Sequence, residues 1–210
     1  MVEPIRLGCV LPKGMACTEP GVSALTKRRK LRSDQHGRRY CHEKQRAMSQ
    51  VKPMVVQTFR DLWEGKADWP LLLHGPAGTG KTCAALCLCD LTAGVYRTVM
   101  EFCNRVRLAE RGELLDEGTH AEGRVTPSMI WSWWSGAQLA VLDELALRRD
   151  VSDYQYEVIK RAIDLREDRP AIYISNVAPD DLRRVYDDRI ASRCCAGTVL
   201  ELAGTDRRLL

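Results

Sequence analysis

A glycine-rich stretch, Leu71–Thr82, joins a short apolar run to a helix-forming segment and limits the folds open to this chain. It matches the G-x-x-x-x-G-K-[ST] phosphate-binding pattern at each specified position, namely Gly75, Gly80, Lys81 and Thr82. Glycines let several backbone N–H groups approach phosphate oxygens, and the positive end of the following helix faces the same anion. Lys81 would bind the β- and γ-phosphates, and Thr82 would bind Mg²⁺. The pattern predicts an ATP-binding loop.

We expect the whole loop and the first turn of the next helix to contact the nucleotide. The predicted contacts are Gly75, Pro76, Ala77, Gly78, Thr79, Gly80, Lys81, Thr82 and Cys83. The alternative is a glycine-rich turn that binds no ligand. The complete match, between a predicted strand at Leu71–His74 and a predicted helix at Cys83–Leu91, favours the nucleotide site.

A second informative run is Gln138–Leu142, an apolar segment that precedes Asp143 and Glu144. A strand that ends in two acids is typical of the Walker B motif, because ligands of open parallel sheets gather at the carboxyl ends of the strands. We predict that Asp143 binds Mg²⁺ through water and that Glu144 polarises the attacking water. An Asp-Glu pair also suits a helix N-terminus, so the Walker B assignment depends largely on the phosphate loop upstream.

A buried strand is also predicted at Pro170–Ser175, and Asn176 follows it directly. An amide at the carboxyl end of this strand could contact the γ-phosphate or the attacking water. The alternative is an asparagine that only forms a turn. Because both Walker elements are present, we favour a sensor role for Asn176.

Apolar periodicity and capping residues predict the other elements. Thr126 and Pro127 suit the start of a helix, and Ser152 with Gln155 forms a capping box. The predicted helices are Arg46–Gly65, Asn104–Arg111, Asp150–Asp168, Pro179–Val185 and Asp187–Arg193, and the further strands are Tyr96–Phe102 and Val199–Leu202.

Two clusters leave the choice between nucleic-acid binding and structure open. Arg105, Arg107 and Arg111 could line a nucleic-acid channel, or they could form a solvated helix face, which is favoured. Three tryptophans could stack on unpaired bases, although packing against the core is favoured. They are Trp131, Trp133 and Trp134.

Length and composition favour one soluble α/β domain. The chain has 210 residues, of which 45% are hydrophobic and 29% charged. No apolar run reaches the length of a membrane span, and Leu7–Leu11 is too short for the core of a signal peptide. Three of the nine cysteines lie in one predicted helix, which favours buried thiols and a reducing cytoplasm.

Charge sets the N-terminal region apart from the rest. Residues 1–50 contain 11 Lys and Arg against 4 Asp and Glu, whereas the remaining residues contain 21 against 24. We therefore divide the chain into a basic partner- or DNA-binding region, 1–46, and a nucleotide-binding domain, 47–210. The basic region could contact phosphates, or it could be a solvated tail.

The same basic region contains residues that could bind zinc, because thiolate and imidazole ligands suit that ion. Their spacing includes no C-x-x-C pair and is loose, so the zinc hypothesis has weak support. The candidate ligands are Cys9, Cys17, His36, Cys41 and His42.

Together, these segments resemble the AAA+ core of replicative helicase loaders, the DnaC-like ATPases, over roughly residues 50–208. Transposition helper ATPases of the IstB type share this core. The segments that carry the resemblance are Gly75–Thr82, Leu139–Glu144, Ile172–Asn176, Asp188–Arg193 and Gly197–Arg208.

The resemblance implies a P-loop fold of the AAA+ type, with a five-stranded parallel sheet between helices. It also implies an arginine finger, a residue that reaches the γ-phosphate of a neighbouring subunit. Arg193 is the first candidate and Arg189 the second, and the alternative is local pairing with Asp187 and Asp188. We expect no C-terminal helical lid, which leaves Arg207 or Arg208 to supply a lid arginine.

The resemblance further implies a slow, partner-stimulated, Mg²⁺-dependent ATPase that acts in DNA replication. Its partners would be a replicative ring helicase, single-stranded DNA and further copies of itself, in the cytoplasm of a bacterial or phage-infected cell. The short chain suggests a phage or prophage source. The alternatives are a transposition helper, a small-molecule kinase, and a nucleotide-gated binding module with little turnover.

Overall fold

The computed structural model describes residues 51–115, 123–147 and 150–206. The predictions for residues 1–46, including the zinc ligands and the basic arm, lie outside these ranges, as do Arg207 and Arg208. Within the described ranges, no helix is long and apolar enough to cross a membrane. Those ranges also contain no group of three or more metal-binding side chains.

Five parallel strands form one sheet in the spatial order β2-β3-β4-β1-β5. The strands are β1 (Leu71–His74), β2 (Val95–Thr98), β3 (Ala140–Leu145), β4 (Ala171–Ser175) and β5 (Thr198–Glu201). Their central members are continuous apolar runs because helices cover both faces of the sheet. The predicted five-stranded parallel sheet is confirmed.

Helices pack on both faces of this sheet. They are α1 (Pro53–Trp63), α2 (Lys81–Thr92), α3 (Val99–Glu110), α4 (Pro127–Gly136), α5 (Asp153–Asp164), α6 (Pro179–Val185) and α7 (Asp188–Cys194). Leu71 and Leu73 of β1 face the core formed with α1 and α2, whereas Leu72 faces the core formed with the later helices. This alternation follows from the two-residue period of a strand.

The boundary between β2 and α3 differs from the prediction. The strand was expected to continue to Phe102, but α3 begins at Val99. Thr98 and Glu101 form a capping box, in which the Glu101 amide donates to Thr98 Oγ1 at 3.2 Å and the Thr98 amide donates to Glu101 Oε2 at 3.3 Å. These bonds satisfy two amides that the first turn of a helix leaves unpaired, so they fix the helix start.

The helix caps recognised in the sequence are confirmed, although α5 extends from Asp153 to Asp164 and not from Asp150 to Asp168 as predicted. Thr126 caps α4, with Pro127 in its first turn, and Ser152 with Gln155 forms the capping box of α5. Among the described residues, α1 begins at Pro53, whereas the sequence predicted a helix from Arg46, and proline suits the first helical position.

A buried arginine, Arg166, binds the carbonyl groups at the carboxyl end of α4. The Arg166 side chain is only 2% exposed. Its guanidinium donates to the carbonyl oxygens of Trp134 (3.2 Å), Ser135 (3.0 Å), Ala137 (2.8 Å) and Pro170 (2.5 Å). Burial lowers the pKa of Arg166 to about 10. The side chain thereby joins the end of α4 to the residues that enter β4.

We expect Arg166→Met to lower the free energy of unfolding by about 3 kcal/mol, because buried carbonyl groups would lose their donors. Urea unfolding followed by tryptophan fluorescence measures the change. Arg184→Ala is the control, since the Arg184 side chain is 80% exposed. Equal stability of the two variants would show that the carbonyl contacts contribute little.

Candidate nucleotide-binding site

The glycine-rich loop connects β1 to α2 at the carboxyl edge of the sheet, as the sequence predicts. Gly80 is the N-cap of α2 and has a φ of 95°. Since β1 lies between the central strand β4 and the outer strand β5, the loop leaves the sheet one strand away from its outer side. The first turn of a helix has amide groups without intrahelical partners, and these favour an anion. The local structure is that of a phosphate-binding loop.

Lys81 lies along the loop, and its side chain is buried. Its Nζ donates to the carbonyl oxygens of Gly75 and Pro76, both at 2.7 Å, and lies 3.5 Å from Thr79 Oγ1. Thr79 Oγ1 also donates to the Pro76 carbonyl at 3.0 Å. The loop therefore positions its own cation, which suits binding of a phosphate at the same place.

Gly75 is required by packing as well as by phosphate access. Its φ is 133°, and a Cβ atom there would lie 2.6 Å from the carbonyl oxygen of Leu202. The Leu202 amide donates to the His74 carbonyl at 2.8 Å, so the chain after β5 passes close to the start of the loop. A side chain at position 75 would strain the backbone and displace this neighbouring segment.

Asp206 lies against the middle of the loop. A Cβ atom on Gly78, whose φ is 76°, would overlap the Asp206 carboxylate and lie 2.8 Å from the Asp206 Cα. The residue is partly exposed. The loop therefore has a carboxylate beside the amides that are expected to bind phosphate.

Thr82 and Asp143 meet although they are 61 residues apart in the chain. Thr82 Oγ1 donates to Asp143 Oδ2 at 2.7 Å, and Tyr96 OH donates to the same oxygen at 2.7 Å. The Glu144 amide donates to Asp143 Oδ1 at 2.6 Å. Burial raises the pKa of Asp143, and these hydrogen bonds oppose the rise. Burial also raises the pKa of Tyr96, which keeps its hydroxyl a donor.

The donor set at this place fits Mg²⁺, which prefers oxygen ligands and retains several waters. A threonine hydroxyl has one proton to donate and two lone pairs. Because the Thr82 hydroxyl donates its proton to Asp143, the lone pairs of Thr82 Oγ1 are available to a cation. Thr82 and Asp143 would hold the ion, directly and through water respectively.

Glu144 lies within β3, because the strand extends from Ala140 to Leu145 and not from Gln138 to Leu142 as predicted. A register shift on β4 lies between Leu142 and Leu145, and Glu144 has a φ of 63°. A bulge of this kind re-aims side chains near the end of a strand. The two acids of the Walker B motif therefore lie in an irregular part of the strand.

Asn176 follows β4, the strand that lies between β1 and β3. Its side chain is exposed, at the same edge of the sheet as the phosphate loop and Asp143. Ser175 fixes the backbone on both sides, because its Oγ donates to the Leu145 carbonyl at 3.2 Å and accepts from the Val177 amide at 3.1 Å. This place suits the predicted sensor.

The two arginines of α7 differ in their surroundings. Arg193 forms an ion pair with Asp164 at the end of α5, whereas Arg189 is exposed. Asp187, the N-cap of α7, accepts from the Ile190 amide at 2.8 Å and from Tyr156 OH at 2.6 Å. Within the described residues, neither arginine contacts the phosphate loop. The site of one chain therefore does not include them.

The tryptophans of α4 divide between core and surface. Trp131 and Trp134 are buried and contact Phe102 with ring centroids 5.4 and 4.7 Å apart, which is the packing role favoured from the sequence. Trp133 is 46% exposed. Of the α3 arginines, Arg107 lies over the Tyr154 ring at 4.6 Å from its centroid.

Tyr96 and Ser175 are the site residues that the sequence patterns did not identify. Neither belongs to a Walker motif. The available signal was position: each lies in a strand beside one that carries a motif residue, with Ser175 at the carboxyl end of its strand and Tyr96 two residues before the end of β2.

Neither a protein-family model nor a curated protein matches this chain. Solved structures do. The DnaC helicase loader matches with a TM-score of 0.56 and 19% identity, over 75% of this chain and 92% of that one. The replication initiator DnaA bound to AMPPCP and single-stranded DNA matches with a TM-score of 0.58 and 16% identity, over 73% and 46% respectively.

A third similar structure is domain III of the DnaA protein from Thermotoga maritima, with a TM-score of 0.53 and 19% identity, over 75% of this chain and 66% of that one. The chain spans 45% of the length of a DNA replication initiation factor and 46% of a DnaA structure from Aquifex aeolicus. At this level of identity the comparisons establish the fold alone, an α/β fold that this chain shares with these structures.

We expect Asp206→Asn to increase the affinity for ATP about threefold, because the variant removes a negative charge beside the phosphate-binding amides. Titration with a fluorescent ATP analogue measures the dissociation constant. Asp180→Asn is the matched control, since the Asp180 side chain is 85% exposed on α6. Unchanged affinity in both variants would mean that Asp206 does not compete with phosphate.

Proposed function

We propose that this protein is an ATP-hydrolysing helicase loader that acts in DNA replication. In this proposal, ATP binding drives its assembly on a replicative ring helicase and single-stranded DNA. The observation that carries the ATPase assignment is the hydrogen bond from Thr82 to Asp143, which joins the two Walker motifs. The likeness in fold to the DnaC helicase loader, over 92% of that chain, supports the more specific function.

Each residue at the carboxyl edge of the sheet has a separate role in binding or hydrolysing ATP. Lys81 binds the β- and γ-phosphates, and the loop amides cradle the same groups. Mg²⁺ held by Thr82 and Asp143 would supply positive charge that stabilises the negative charge of the phosphate groups. Glu144 accepts a proton from the attacking water, and Asn176 contacts that water or the γ-phosphate.

Hydrolysis in this proposal depends on assembly. An arginine from a neighbouring copy would complete the site, since none of the described residues of α7 reaches the phosphate loop of its own chain. Arg189 is exposed and therefore free to move toward a neighbour, whereas Arg193 contacts Asp164. We accordingly place Arg189 first and Arg193 second. An arginine supplied in trans makes turnover slow until subunits assemble.

The proposed partners follow from charge and from the fold comparisons. A solved DnaA structure of the same fold holds single-stranded DNA. Residues 1–50 of this chain have 11 basic and 4 acidic side chains, a balance that favours a phosphate backbone. The nucleotide state would then decide when DNA and helicase are held and when they are released.

Affinity capture tests the choice of partner. Glu144→Gln should trap bound ATP, because the substituted amide cannot accept the proton of the attacking water. Capture from the host lysate with ATP is compared with capture with ADP. A ring helicase retained only with ATP supports the proposal, whereas a transposase would assign the chain to the transposition helpers. Retention independent of the nucleotide would contradict an ATP-driven loader.

We expect Lys81→Ala to weaken ATP binding about a hundredfold and to abolish turnover, because the loop would lose its charge-assisted bonds to phosphate. Calorimetry and phosphate release measure the two effects. Lys66→Ala is the control, since Lys66 is an exposed side chain paired with Glu64. Normal ATP affinity in Lys81→Ala would rule out the phosphate-loop assignment.

We expect Arg189→Ala to retain ATP affinity and to lose about 10³-fold of the assembly-stimulated turnover. Arg193→Ala should instead lower the free energy of unfolding by about 1 kcal/mol, because Asp164 loses its partner. Turnover as a function of protein concentration measures the first effect and urea unfolding the second. The exposed Arg184→Ala serves as the control. If only Arg193→Ala lost stimulated turnover, the finger would be Arg193.

A further inference from the structure

Tyr96 is a buried aromatic residue on the edge strand of the sheet, and its hydroxyl lies in the candidate nucleotide site. Its side chain is 4% exposed and packs in the core formed with α1 and α2. In the β2–β3 ladder Tyr96 lies opposite Val141, two residues before Asp143 on the same face of β3. The length of a tyrosine side chain spans this offset, and its hydroxyl is 2.7 Å from Asp143 Oδ2.

Three donors fix the orientation of the Asp143 carboxylate. The Glu144 amide occupies Oδ1, while Thr82 and Tyr96 both donate to Oδ2. The χ2 torsion of an aspartate is intrinsically broad, so its own rotamer preference does not hold the carboxylate in one plane. Asp143 is 3% exposed, which leaves little room for water to take over any of these bonds.

The three donors differ in what holds them in place. The Glu144 amide belongs to the backbone of the bulge, and Thr82 is shared with the cation that the loop is expected to bind. Tyr96 belongs to neither Walker motif, and its hydroxyl is anchored by a ring packed in the core. It is the donor whose position does not depend on nucleotide or metal.

We propose that Tyr96 is a positioning residue that holds the Walker B carboxylate in the orientation needed to bind Mg²⁺ together with Thr82. This inference rests on the proposed nucleotide function. Tyr96 acts through Asp143 and contacts neither phosphate nor metal. Loss of a partner that orients a metal ligand typically lowers metal affinity roughly 10- to 100-fold.

The same contact links the site to the edge of the sheet. Tyr96 lies two residues before Thr98, which caps α3. A shift of β2 would therefore move the hydroxyl away from Asp143. Metal affinity should consequently depend on the position of this edge strand, although the edge strand carries no Walker residue.

Tyr96→Phe tests the inference, because it removes the hydroxyl and retains the ring. We expect the Mg²⁺ concentration for half-saturation of AMPPNP binding to rise about tenfold, as is typical for loss of a supporting partner of a metal ligand. Binding of AMPPNP in EDTA should not change, since the phosphate loop is untouched. A fluorescent derivative of the analogue reports binding without turnover.

Tyr173→Phe is the matched control. Tyr173 is also a buried strand tyrosine, 2% exposed, but it packs in the core on the other face of the sheet. Both variants lose one hydroxyl, so a general loss of stability would affect them alike. Only Tyr96→Phe should change the Mg²⁺ requirement.

A double-mutant cycle guards against an indirect effect. In an Asp143→Ala background, Tyr96→Phe should produce no additional change in the Mg²⁺ requirement, because the group that it positions is absent. An additional tenfold change there would overturn the inference. So would an unchanged Mg²⁺ requirement in the single variant while the parent binds AMPPNP normally. A parent chain that binds no AMPPNP would overturn this inference and the proposed function together.

Discussion

The hydrogen bond between Thr82 and Asp143 is the interaction on which the arrangement of this site depends. It spans the strand that separates β1 from β3, so it forms only when all three strands are in register. Asp143 would be costly to bury without hydrogen-bond partners, and Thr82 supplies one of them. The core of the sheet and the candidate nucleotide site are therefore stabilised by the same register. Disturbing the order of the strands would remove both.

The carboxyl edge of the sheet contains several polar groups that tertiary contacts hold in place. Lys81 donates to loop carbonyls, Ser175 connects the ends of β3 and β4, and Tyr96 reaches the Walker B carboxylate from the edge strand. Each contact satisfies a polar group and also fixes part of the edge at which the candidate site lies. Stability and preorganisation of the site thus have a common physical origin.

Charged side chains separate into those used within the chain and those available to other molecules. Arg166 donates hydrogen bonds to four backbone carbonyl groups, and Arg193 forms an ion pair with Asp164. Arg189 lies exposed on the same short helix as Arg193. The four-residue spacing of the two arginines does not reveal this difference in partners, which only the packing of the helices decides.

The phosphate loop and the two acids of the third strand were located from the sequence, because they depend on local spacing and on apolar runs. The five-stranded parallel sheet was expected from the resemblance to a known family, and the structure confirms it. The sequence also located the caps at Thr126 and Ser152. The tertiary structure alone decided the Tyr96–Asp143 bond, the Arg193–Asp164 pair and the approach of Leu202 to Gly75. Such contacts join residues that are distant in the chain, and they depend on how strands and helices pack together, which a local sequence pattern does not specify.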